Sequence, residues 1–204
     1  MSSEFTAEIA IAAAQLVAEE GMEYGQAKRK AARHLERTAG RRPRQAEMPS
    51  NEAVEDEVRA HIELFQMQTQ PAELAALRGL ALQWMLRLAE FRPHLSGAVW
   101  RGTGNRHSSI HLDLYCDDPK SAEIELVNLG VRFDTDAITT PHGEDLDVLS
   151  LAVRCAGLAE LVTLHLTVRD LDELRGALKP DARGRSWRGA TSALQRLLAV
   201  PVTT

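Results

Sequence analysis

The sequence predicts an α+β protein, with an N-terminal helical module followed by a small sheet flanked by helices. Through about residue 91 the apolar residues recur at helical spacing. From Leu95 onward the period shortens to alternating runs separated by Gly, Pro and Asp. The chain has 204 residues, 44% hydrophobic and 26% charged, enough for a well-buried core. Aromatic residues make up only 4%, so packing must rest on Leu, Ala and Val.

The elements follow in order. Residues 4–20 place Ile9, Ala12, Ala13, Leu16 and Val17 on one helical face, and Gly21 ends that helix. Residues 24–38 form a second helix with a narrow apolar face of Ala27, Ala31, Ala32 and Leu35. Pro43 and Pro49 mark the next stretch as a connection. Ser50, Asn51 and Glu52 cap a third helix, residues 51–68, buried through Val54, Val58, Ile62 and Phe65. Pro71 starts a fourth, residues 71–91, with Leu74, Leu77, Leu80, Ala81, Trp84, Met85 and Leu88 as its stripe. It stops there because Arg92 precedes Pro93, which places the domain boundary between residues 92 and 93.

In the second half, residues 97–100 suit a short strand or the start of a helix, and residues 111–115 a strand. A helix, residues 120–129, is stopped by Gly130 and followed by a short strand, 131–134. Residues 139–143 read as a turn, and residues 146–153 and 161–168 as the arms of a hairpin joined around Gly157. Asp170 caps a short helix, 171–178, ended by Pro180. Residues 181–186 read as a flexible polar segment, and 189–199 as a last helix.

The formal net charge of −5 argues against bulk attraction to nucleic acid, but the second helix is locally basic. Lys28, Arg29, Lys30 and Arg33 lie on its polar face with Arg37, and Arg41, Arg42 and Arg44 continue the run. Such a face would supply phosphate contacts, and the helix, turn, basic-helix order suggests a helix-turn-helix. The competing reading is a solvated face neutralised by Glu47, Glu52, Glu55, Asp56 and Glu57, and no interleaved aromatic offers a base-stacking surface. No basic–apolar leader pattern opens the sequence, and no apolar run approaches the roughly 20 residues of a membrane span. Cys116 and Cys155 lack metal-ligand spacing and read as core residues, so a cytoplasmic protein is expected.

The stretch that organises the second half is SGAVWRGTGNRHSSIHLDLYCDD, residues 96–118. Its alternation puts Ser109, His111, Asp113 and Tyr115 on one face of a strand and Ile110, Leu112 and Leu114 on the other. It contains no serine-hydrolase elbow, and its Gly102-Thr103-Gly104-Asn105 run is too short for a dinucleotide fingerprint.

The stretch resembles the signature of the DNA-polymerase-beta-like nucleotidyltransferase superfamily: Gly-Ser, a second glycine, a loop, then two alternate acids on a strand. Gly97-Ala98 falls on Gly-Ser, Gly102 on the second glycine, and Ser108 to Leu112 on the carboxylate segment. The wider chain, including AKRKAARHL and FRPHLSGAVWRGT, resembles a group of proteobacterial nucleotidyltransferase-like proteins. The resemblance implies a mixed sheet binding a nucleoside triphosphate with Mg²⁺. Gly97, Ala98, Gly102, Thr103, Ser109 and His111 would then line the nucleotide. In such a site, close backbone approach serves the phosphates and paired carboxylates hold the metals.

Here Ser109 and His111 stand where the two acids would be, and Ala98 replaces the phosphate-contacting Ser. A third acid, from a neighbouring strand, would be replaced by His165 if that strand is residues 161–168, or would be Asp147 if it is 146–153. Asp113 lies one pleat repeat, about 7 Å, beyond His111 on the same face. With Asp147, Asp117 or Asp118 it could hold a single metal, to which His111 could also be a ligand, and Asp113 and Asp147 would be the catalytic acids. A set of His107, His111, Asp113 and His165 would instead suit Zn²⁺. His34, His61, His94 and His142 have no partner pattern and read as polar residues on wet faces. Trp84, Trp100 and Trp187 read as packing, with Trp100 walling the Gly-rich loop.

The expected function is therefore that of a nucleotidyltransferase-fold protein without metal catalysis, binding a nucleotide, RNA or a protein partner. An active transferase built on Asp113 and a second carboxylate is one alternative. A nucleic-acid-binding regulator acting through residues 28–44 is the other.

Overall fold

Close helix packing through alanine shapes the first part of the chain. The computed structural model describes residues 2–39, 48–139, 145–181 and 183–199. Helix α1 (Ser2–Glu20) buries Phe5, Ile9, Ala13, Ala14 and Val17. They pack against Ala27, Ala31 and Ala32 of α2 (Tyr24–Ala39) and Val54 and Val58 of α3 (Asn51–Phe65). The N-cap expected at residues 50–52 is Ser50, whose hydroxyl accepts the Ala53 N–H at 3.1 Å. Gly21, at φ 66°, makes the left-handed turn that ends α1.

The chain divides into two compact units, Met1–Pro71 and Ala72–Thr204, where the sequence places the boundary at residue 92. Helix α4 (Gln70–Arg87) accounts for the difference, because its apolar stripe belongs to the core of the sheet. Helical periodicity shows that a face is buried but not which neighbour buries it. A 3-10 turn, Ala89–Phe91, follows α4, and Arg92 turns the chain at φ 47° into the sheet.

The sheet has six strands: β1 (His94–Ser96), β2 (Ile110–Cys116), β3 (Asp134–Thr139), β4 (Asp145–Arg154), β5 (Leu161–Asp170) and β6 (Arg188–Ala190). Their order is β3-β4-β5-β2-β1-β6, with β2 and β5 parallel and every other pair antiparallel. The protein is thus α+β with a mixed sheet, as the change of period predicts. Helix α5 (Gly97–Arg101) links β1 to β2, α6 (Lys120–Asn128) follows β2, and α7 (Thr191–Ala199) follows β6. One face of the sheet carries Leu95, Leu112, Leu114, Leu149, Leu151, Leu164 and Leu166, clustered with α4, Leu126 of α6 and Leu194 of α7.

Several local expectations change. Residues 131–134 are not a strand; β3 begins at Asp134, and the expected turn at 139–143 lies mostly outside the described residues. The helix expected over 171–178 is a 3-10 segment, Leu171–Gly176, capped by Asp170, whose Oδ1 accepts the Asp172 N–H at 2.8 Å.

The segment expected to be flexible near residues 181–186 is pinned. Asp181 Oδ1 accepts the N–H groups of Arg183 and Arg185 at 2.9 and 2.8 Å, and its Oδ2 binds Arg101 at 3.1 Å. The backbone donors, Arg185 first, hold its carboxyl below the usual range. The Arg101 guanidinium sits 4.2 Å from the Trp187 ring centroid. The chain then enters β6, a strand with no alternation long enough to betray it in sequence. Among the described residues no helix is long and apolar enough to cross a membrane.

Candidate functional site

Residues that face one another across paired strands share a side of the sheet. Ser96 pairs with Arg188 on one flank and His111 on the other. His111 pairs with His165, and His165 with Ser150. A polar row, Arg188–Ser96–His111–His165–Ser150, therefore crosses five strands at one level. All five residues are half-buried, on the face opposite the leucine core. The next row, His94, Asp113, Thr167 and Val148, is buried.

The row is ordered by contacts within itself. The His111 and His165 rings stack with centroids 4.9 Å apart, and the Ser150 hydroxyl lies 2.9 Å from His165 Nδ1. Gly97 closes the end of β1 at φ 67°, and a Cβ there would stand 3.4 Å from His111 Cδ2. The turn thus combines a left-handed backbone with close approach to the ring, two reasons for glycine at this position. Of the residues expected to line a nucleotide, Gly97 and His111 meet here, Ala98 follows in α5, and Ser109 leads into β2 just before the row. Gly102 and Thr103 instead lie at the far end of α5, where the N–H groups of Thr103 and Gly104 both reach the Ala98 carbonyl at 3.0 Å.

The Gly-rich loop is built from its own side chains. Asn105 Oδ1 accepts the His107 N–H at 3.0 Å, Ser108 Oγ accepts the Asn105 N–H at 3.1 Å, and Glu73 of α4 accepts the Arg106 N–H at 3.0 Å. Its exposed His107 receives the Arg106 Nε–H at 3.2 Å. A cavity of about 440 Å³ beside this loop has Arg106 opposed by Glu73 and Glu160, and its mixed charge selects no ligand class.

Asp113 is in a different position from the one its spacing suggested. Its carboxylate is buried, with Oδ1 accepting the Arg169 Nε–H at 2.6 Å and Oδ2 accepting the Arg188 Nε–H at 2.5 Å. Arg169 also donates through Nη1 to Glu173 at 2.9 Å. Beside it, burial and the Asp113 charge push the Tyr115 hydroxyl up to about 12, so it stays protonated near neutrality.

Asp147 cannot join it. Val148 pairs with Thr167, itself paired with Asp113, so Val148 shares the Asp113 face and Asp147 projects from the other. There Asp147 contributes to raising the Lys120 pKa, behind the larger effect of that amine's hydrogen bond to Glu123. The pairing of Asp113 with Asp147 as catalytic acids is corrected by strand register.

The donor set does not fit Mg²⁺. Hard divalent ions take oxygen ligands, whereas the signature positions carry Ser109, His111 and His165, and both Asp113 oxygens already accept guanidinium hydrogens. No group of three His, Cys, Asp or Glu among the described residues could hold a metal, which also removes the zinc set. Burial, and then Asp118, Asp117 and Asp170, push the Cys116 thiol pKa up, which disfavours the thiolate.

His94, expected on a wet face, is buried. Its ring meets Tyr115 edge-on at 5.3 Å and its Nδ1–H donates to the Arg92 carbonyl at 2.8 Å. Burial lowers its pKa, opposed by that hydrogen bond and by the Asp113 charge. The unfolded chain therefore takes up a proton near 6.5 that the folded protein resists. Stability falls as pH drops below the unfolded value, and the loss is complete below the folded one. Urea midpoints should be lower at about pH 5 than at about pH 7.5, and His94→Asn should remove that part of the difference. An unchanged slope in the variant would place the titration elsewhere.

In the first unit, the basic helix is partly consumed by the fold. Lys28 Nζ donates to the Pro49 carbonyl at 3.2 Å and Asn51 Oδ1 at 2.7 Å, and burial lowers its pKa despite Glu52. Lys30 pairs with Glu20 at 2.6 Å. Arg29 and Arg33 remain exposed, with Arg33 Nε–H returned to the Arg29 carbonyl at 3.3 Å. Glu55, expected to offset this face, is buried and pairs with Arg59 of its own helix at 2.7 Å. Arg41, Arg42, Arg44 and Glu47 lie outside the described residues, as does His142.

Sequence reasoning missed Arg169, Arg188 and Ser150. For Arg169 a signal existed, because Thr163, His165, Thr167 and Arg169 alternate on β5 as Ser109, His111, Asp113 and Tyr115 do toward β2. For Arg188 none did. No family model, curated protein or solved structure matches this chain.

Proposed function

We propose that the α+β unit is a nucleotidyltransferase-like scaffold that binds a nucleotide along the polar row without metal-dependent transfer. One observation carries the reading: the only acid on the Asp113 strand face is neutralised by two arginines. Recruiting that carboxylate to a metal would bring a divalent cation beside two guanidinium groups left without their acceptor, an unfavourable arrangement. The strand–turn–helix–strand order of β1, Gly97, α5 and β2 supports the resemblance, as does the open row beside the turn. That row offers hydroxyl, imidazole and guanidinium groups to a polar ligand. Binding without chemistry is what such a framework supplies when its oxygen ligands are absent.

Titration calorimetry with ATP and GTP tests the reading. Binding should persist in EDTA, and no label should pass from the triphosphate to RNA, protein or small hydroxyl acceptors. Metal-dependent turnover that disappears in Asp113→Asn would overturn it. The regulatory reading through α2 draws less support, since Lys28 and Lys30 both have intramolecular partners.

A further inference from the structure

The bridge Arg169–Asp113–Arg188 is layered. Asp113 lies deep, with 6% of its side chain exposed, whereas Arg188 and Arg169 retain 27% and 16%. Each guanidinium reaches the carboxylate through Nε, which leaves the terminal nitrogens for other acceptors. Arg169 spends one of them on Glu173. Its Nη2, and both terminal nitrogens of Arg188, have no acceptor among the described residues. Arg188 also heads the accessible row, next to Ser96 at the Gly97 turn.

We infer that Arg188 and Arg169 form a metal-independent phosphate-binding pair that takes the polyphosphate of the nucleotide. The inference rests on the nucleotide reading above and assigns that site its anchoring residues. Both guanidinium groups bind the same carboxylate, so they are close enough for one tetrahedral phosphate, or two linked ones, to accept from each. Planar forks match phosphate oxygens in pairs. Asp113 acts on the site in two opposing ways. It fixes both arginines before ligand arrives, which lowers the ordering cost of binding. Its negative charge also weakens the site, so a phosphate binds against partial neutralisation. A single carboxylate ligand would need only the Arg188 fork, whereas a polyphosphate has the charge and the spread of acceptors to use that fork and Nη2 of Arg169 together.

The test compares inorganic triphosphate with ATP, both in EDTA, by calorimetry on the full chain. The wild type should bind both. Arg188→Gln should weaken both by roughly tenfold or more, the value of one charged hydrogen-bonding partner. Asp113→Asn should act in the opposite direction and tighten both, because the asparagine carbonyl can still hold one guanidinium in place while the competing charge is gone. Arg188→Lys, which keeps charge but loses the fork, should fall between wild type and Arg188→Gln, and it carries the test if the glutamine variant does not fold. A network that serves stability alone would lower the melting temperature in these variants and leave affinity untouched, which would overturn the inference. ATP binding indifferent to Arg188, with no triphosphate binding, would also overturn it while leaving the nucleotide reading standing. Triphosphate binding that depends on Arg188, with no gain from the nucleoside, would keep the pair and sink the nucleotide. Failure of both ligands to bind would remove both.

Discussion

Arg169→Met should destabilise the α+β unit by about 3 kcal/mol, the cost of stripping a partner from a buried carboxylate. Asp113 is almost fully enclosed, and its two oxygens are each served by one guanidinium. With Arg169 gone, Oδ1 keeps its desolvation penalty and loses its compensating charge. The asymmetry of the cluster sharpens the expectation. Asp113→Asn should cost less than Arg169→Met, because the arginines it leaves behind retain access to water. Urea denaturation followed by fluorescence of Trp84, Trp100 and Trp187 reports on this unit, which contains all three tryptophans. Equal costs for the two variants would mean that the carboxylate is hydrated in solution.

Gly189→Ala should cost about 2 kcal/mol by overpacking β6 against Trp100. A Cβ at position 189 would lie 2.1 Å from both Cη2 and Cζ3 of the indole. That ring cannot swing aside freely, since its Nε1–H donates to the Ser186 carbonyl at 2.9 Å. The backbone beneath it is held as well: Arg78 donates to the Val99 and Trp100 carbonyls at 3.0 and 3.1 Å. Trp100→Leu should relieve the clash, so the double variant should be more stable than the sum of the singles predicts. Additive losses in that cycle would show that the indole is not the obstacle. The consequence reaches the site, because displacing β6 moves Arg188 away from Asp113.

Trp100 also shows where tertiary contacts override a sequence reading. Placed in a Gly-rich stretch, it was expected to wall the loop that follows. Its ring lies on Gly189, a residue 89 positions later in a strand of three residues, so the packing role expected of it has a partner the local sequence does not name. A strand that short has no periodicity to detect. The same holds for α4, whose apolar stripe is plain in the sequence while its docking on the sheet is not.

The sequence by itself determined the class of the fold, the change from helical to alternating period, and which side chains share a face. These follow from backbone geometry within a few residues, and they hold whatever the strand's neighbours are. The same local rule exposed the polar face of β2 and the absence of acids at Ser109 and His111. Only the tertiary structure decided what Asp113 does. Its partners lie 56 and 75 residues away in sequence. They reach it through a parallel pairing of β2 with β5 and through β6 adding to β1. The alternating leucines forbid a one-residue slip, which would turn Arg169 toward the core, but no local pattern encodes that β5 is the strand beside β2. The pairing is set by burying the leucines of the opposite face. Packing on one side of the sheet thus placed two arginines on the other, over the acid on which the catalytic expectation centred.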